Sequence, residues 1–235
     1  QASSDDISKL ALDSIRQLYQ DKRLDLTERI EQFASKYLNM LLNDIPTNEI
    51  ASVQQTSWND DTIMRCLSLY LLLLPLNHKL LHWLPSVYVG SHRNIQRVIN
   101  RAIQNSIEAI DINSPEVLLF VESCPTGADP LISRVIRILA DKQRPSTELV
   151  SRVKDLYQNK SVSDVRFLFP VLNGFSKKEI IALLPQLIKQ NPNTVKEIFN
   201  RLLTANGKLT HLLIYFYPLL IVVFSHANQL TLQAR

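Results

Sequence analysis

The chain has 235 residues, 46% of them hydrophobic, which is enough apolar material to bury a core in one large domain or two small ones and excludes wholesale disorder. Only four glycines occur, Gly90, Gly127, Gly174 and Gly207, and that scarcity argues against Gly-rich phosphate loops and many tight hairpins. The net charge of +4 is uneven: residues 1–60 carry 6 basic and 10 acidic side chains and residues 61–235 carry 20 and 12, so −4 is followed by +8, a basic excess too dilute to require a nucleic-acid partner.

Ile7, Leu10, Ala11, Ile15 and Leu18 share one face of a predicted first helix, and Leu26, Ile30, Phe33, Tyr37, Leu38 and Leu41 share one face of a second. Asn43 to Ser57, with Pro46, breaks this pattern and reads as a long connection. The initial residues QASSDDISK show no apolar core of a secretory signal. From Asp60 the stretch CLSLYLLLLPLNHKLLHWLPSVY predicts two buried helices joined or kinked at Pro75. Its uncharged run is too short to span a bilayer.

The next predicted helix places Ile95, Val98, Ile99, Ala102, Ile103, Ile107 and Ile110 on one side, and Arg93, Arg97 and Arg101 at i, i+4 and i+8 on another. Ser114-Pro115, Asp129-Pro130 and Asn191-Pro192 each set a capping side chain before a proline suited to a first helical turn. Ser176 and Glu179 form a predicted capping box, preceded by Asn173-Gly174 as a helix stop. Helix starts near 114, 129, 146, 163, 176 and 191 give pairs of roughly 30 residues, the scale of α-solenoid repeats. The expected fold is all-α, a HEAT-like or ARM-like α-solenoid or an irregular helical bundle, with about ten to twelve helices.

Candidate chemistry is sparse. His78 and His82 stand four apart, as zinc-binding pairs on a helix do, but Lys79 occupies the place of a catalytic glutamate and no third ligand follows, so packing or capping histidines are expected. Cys66 and Cys124 have no second cysteine at metal-ligand spacing and read as reduced thiols, with a single disulfide left open. No nucleophile motif occurs, so no catalytic residue, cofactor or metal site is expected. The candidate partner or RNA surface is the Arg93, Arg97 and Arg101 stripe, joined by Lys177 and Lys178, which stand at the end of a helix that disfavours cations.

The blocks DVRFLFPVLNG, KKEIIALLPQLIK and VKEIFNRLL, within a stretch running from SCPTGADP to NRLL, closely resemble the C-terminal domain of the symplekin family. LYLLLLPLNHKLLHWLPSVY and NSPEVLLFVESCP resemble the same family, so the resemblance covers residues 67–203. It implies a nuclear, non-catalytic helical scaffold in pre-mRNA 3′-end cleavage and polyadenylation and in histone pre-mRNA processing. It also implies association with the endonuclease subunit of the cleavage and polyadenylation specificity factor, the inactive paralogue of that subunit, and the cleavage stimulation factor. No individual contact residue carries over. After Leu203 the chain departs from the resemblance, so the expected divisions are an N-terminal helical pair and linker (1–57), a truncated helical domain (58–204) and a divergent apolar tail (205–235). In that tail, Leu212 to Phe224 runs without charge and suits a buried or interfacial segment or a strand. The alternatives to the scaffold are a basic helical RNA-binding module and a nonfunctional truncated fragment, with membrane attachment ranked last.

Overall fold

The computed structural model describes residues 4–21, 24–47, 49, 57–158 and 164–205. Among them every regular element is helical, eleven α-helices and two 3₁₀ segments, so the fold is all-α as expected. The chain divides into two compact units, residues 1–144 and 145–235. The expected boundary near residue 57 falls inside the first unit.

The first unit opens with α1 (Ser4–Gln20) and α2 (Leu24–Met40), followed by α3 (Asp60–Leu73). The inward faces of the first two are not quite those of the simplest periodic reading. Tyr19, Ala34, Leu38 and Leu41 are buried, whereas Leu10, Leu18 and Phe33 are exposed. Three interactions tie this pair to the rest of the unit and explain the missing boundary. Trp58 donates its indole N–H to the Asn43 carbonyl at 2.9 Å, the Asn77 amide donates to Glu31 at 2.9 Å, and α2 packs on α3.

Asn59 caps α3 in a capping box with Thr62, and the helix ends just before Pro75, whose missing N–H cannot continue it. Beyond Pro75 the second buried helix of the sequence reading is split. A 3₁₀ segment over His78–Trp83 is capped by the Asn77 side chain, and α4 (Leu84–Gly90) carries a proline in its first turn, where no backbone donor is needed. The isoleucine-rich stretch becomes α5 (Arg93–Ala102) and α6 (Gln104–Glu108), with Ile95, Val98, Ile99, Ile103 and Ile107 fully buried.

Next come α7 (Pro115–Glu122) and α8 (Asp129–Lys142). Their starts fall where the prolines predict, but neither expected cap forms: Asp129 is already helical, and the Ser114 hydroxyl bonds elsewhere. Gly127, in the turn before α8, sits at φ 91°, a region that side chains disfavour.

The second unit contains α9 (Thr147–Gln158), a 3₁₀ segment over Val165–Gly174, α10 (Lys177–Leu187) and α11 (Pro192–Ala205). The Ser146 hydroxyl, the Ser176–Glu179 capping box and the Asn191 side chain cap α9, α10 and α11 respectively. The 3₁₀ segment VRFLFPVLNG is the heart of this unit. Every residue from Phe167 to Leu172 is buried, and α9, α10 and α11 all pack against it. Pro170 inside it removes a donor and would clash with the carbonyl four residues back in an α-helix, so the tighter winding follows from the sequence. The helical segment stops at Gly174, as expected, with no positive φ there. A Cβ there would collide with the Val150 side chain, so close approach of α9 is what requires glycine. The apolar run Leu212–Phe224 lies outside the described residues.

Candidate functional site

The arginine stripe lies on the solvent face of α5, opposite the isoleucines that anchor the helix. Arg97 and Arg101 converge on one carboxylate. Asp60, in the first turn of α3, accepts from Arg101 at 2.8 Å and from Arg97 at 3.3 Å. All three side chains remain substantially open, at 67% and 62% exposure for Arg97 and Arg101 and 40% for Asp60. The Arg101 hydrogen bond, the largest influence, holds the Asp60 carboxyl below its ordinary range. Arg97 also donates to the Asn94 side chain at 2.8 Å. Arg93, one turn earlier, is exposed, and no carboxylate among the described residues pairs with it.

Asp60 was missing from the sequence reading because its partners lie 37 and 41 residues downstream and only the packing of α3 on α5 brings them together. Its one local signature, a carboxylate in a first helical turn, is also explained by the helix dipole.

Lys177 and Lys178 are exposed in the first turn of α10, in the second unit, so the two halves of the predicted surface belong to different units. Beside them Glu179 closes the capping box and accepts from Lys154 at 2.8 Å. Lys154 and then Ser176 pull the Glu179 carboxyl down to about 2. The Lys154 ammonium also sits 4.3 Å from the centre of the Phe175 ring.

The two histidines of HKLLH lie in a 3₁₀ segment, not in the α-helix whose i, i+4 spacing suits a metal-binding pair. Each instead reaches α7: His78 Nδ1 lies 3.1 Å from the Ser114 hydroxyl and His82 Nε2 lies 2.7 Å from Glu116. No group of three or more His, Cys, Asp or Glu side chains among the described residues is placed to hold a metal ion. Cys66 and Cys124 are both free thiols, and burial pushes their pKa up to about 12 and about 11.

A cleft between α2 and the first 3₁₀ segment is lined by Glu28, Glu31, Lys36 and Trp83, among others. The less exposed of its two carboxylates is already committed, since Glu31 accepts from the Tyr19 hydroxyl at 2.5 Å as well as from Asn77. Burial, then this hydrogen bond, raises Tyr19 to about 12. No helix among the described residues is long and apolar enough to cross a membrane.

These features define an all-α protein with many polar side chains bonded to one another and with exposed runs of cations on the faces of α5 and α10. Residues 164–231 match the family model described as Symplekin tight junction protein C terminal, so this part of the chain is similar to that family's C-terminal region. The match begins at the buried 3₁₀ segment and runs through residues 205–231, most of the stretch expected to be a divergent tail (205–235), so those residues fall within the matched region and not outside it. Residues 67–163 are not included in it. No solved structure matches the chain significantly.

Proposed function

We propose that this chain is a non-catalytic, protein-binding scaffold segment of the nuclear pre-mRNA 3′-end cleavage and polyadenylation machinery, where it holds the endonuclease subunit and the cleavage stimulation factor together. The observation that carries the reading is the family match, which starts at the segment forming the core of the second unit. The arrangement of polar groups supports it, because carboxylates and histidines are spent on caps and interhelical bonds while exposed lysines and arginines face outward. Arg93, Arg97 and Arg101 in the first unit and Lys177 and Lys178 in the second are the two surfaces assigned to partners, with RNA contact indirect and no membrane involved.

Affinity purification of the full chain from nuclear extract, followed by mass spectrometry, tests the proposal. Recovery of cleavage and polyadenylation subunits is expected. Their complete absence, with the chain folded by circular dichroism, would overturn it and favour the fragment reading. Retention of RNA alone, lost steeply with salt, would favour an RNA-binding module instead.

A further inference from the structure

The α5 arginines are spaced for a row of anions. Positions four apart on a helix rise about 6 Å, so Arg93, Arg97 and Arg101 present three guanidiniums at an even interval along one edge. One interval is already filled from within, since the Asp60 carboxylate bridges Arg97 and Arg101. The next is unfilled among the described residues: none of their carboxylates pairs with Arg93, and the first turn of α5 contains no acidic residue. Asp60 therefore shows which ligand chemistry the surface accepts, a carboxylate approached by guanidinium N–H groups.

We infer that this face docks an acidic helical segment of a partner protein, with Asp or Glu repeating every fourth residue, and that Asp60 is a built-in competitor which the partner's carboxylates displace. The inference rests on the protein-binding reading above and names the class of partner for one of its surfaces. A second helix with carboxylates at i, i+4 and i+8 has the same 6 Å repeat as the stripe. Single-stranded RNA is less well matched, because bases need exposed rings to stack on. The aromatic side chains flanking α5, Trp58 and Tyr88, are buried at 8% and 4% exposure.

Isothermal calorimetry on the full chain provides the test. The probes are a helical peptide with Glu at every fourth position, a peptide of identical composition with that periodicity broken, and a single-stranded RNA oligonucleotide. The periodic peptide is expected to bind tightest, to weaken in Arg93→Gln and Arg97→Gln, and to tighten about twofold to fivefold in Asp60→Asn, the range that exposed ion-pair energies convert to. Asp60→Asn leaves the Asn59–Thr62 capping box and Asp61 in place, and a thermal melt verifies that it folds.

Equal binding of the two peptides, unchanged or weaker binding by Asp60→Asn, or tighter binding of the RNA would each overturn the inference. Purification of the unsubstituted full chain from nuclear extract separates this outcome from the broader one. If cleavage subunits are recovered while the peptides fail to discriminate, only the acidic-helix inference falls. If the periodic peptide binds as expected but no cleavage subunit is recovered, the scaffold assignment falls and the docking surface stands.

Discussion

Tyr70 is fully buried in α3 and donates its hydroxyl to the Leu80 carbonyl at 2.9 Å, across the chain reversal that follows Pro75. That carbonyl belongs to the first 3₁₀ segment, so the bond fixes the segment against the helix it returns to. Tyr70→Phe keeps the ring packing and leaves a buried acceptor unmet, at an expected cost of about 1–3 kcal/mol by urea denaturation. Gly174 tests packing in the same way. Val150 is buried at 3% exposure and has no room to swing from an added methyl, so Gly174→Ala is expected to cost about 1–3 kcal/mol. Val150→Ala in the same chain should recover part of that loss, a non-additivity that a double-mutant cycle measures directly.

At the level of elements, α10 shows a cost retained in the fold. Its first turn contains Lys177 and Lys178, where the helix dipole favours acids. Lys177→Glu/Lys178→Glu is expected to stabilise the second unit, by about 0.3–1 kcal/mol per residue in thermal melts, yet to reduce recovery of partners from nuclear extract. Ser176→Ala removes one side of the capping box and should cost about 1 kcal/mol.

Caps and periods of this kind were legible in the sequence. The starts of α7, α8, α9, α10 and α11 lie within a residue or so of their predicted positions because proline and short polar side chains act locally. What was not legible depended on distance. Ser114 was given to its own helix, but packing hands its hydroxyl to His78. The histidine pair looked like a helical face until Pro75, Asn77 and Pro85 turned that stretch into 3₁₀ and a short helix. Phe33 has the spacing of a core residue and is 54% exposed, since α2 packs through Ala34 and Leu38 instead. The Asp60–arginine cluster joins residues some forty positions apart, and no local pattern encodes such a meeting.

Across the whole molecule, acid acts through a common mechanism in both units. Asp60 and Glu108 in the first unit, and Asp164 and Glu179 in the second, have carboxyls held below their ordinary range by hydrogen bonds. A carboxyl depressed in the folded state stabilises it above the unfolded pKa, and that contribution is lost as pH falls towards the folded value. For Glu179 the window runs from the ordinary 4.5 down to about 2. The melting temperature is therefore expected to fall as pH drops below about 4.5. Lys154→Met should lower the melting temperature at neutral pH and flatten this acid dependence, because Lys154 is the principal cause of the Glu179 shift. Scanning calorimetry from neutral to low pH checks both effects.

The indole of Trp58, which pins the Asn43 carbonyl, has a further use. The chain has two tryptophans, Trp58 and Trp83, and both lie in the first unit. The second unit, where the whole family match falls, has none. Intrinsic tryptophan emission thus reports on one unit while far-ultraviolet dichroism sums both. When emission and dichroism transitions separate, the difference belongs to the optically silent unit, whose unfolding can be followed without attaching a label.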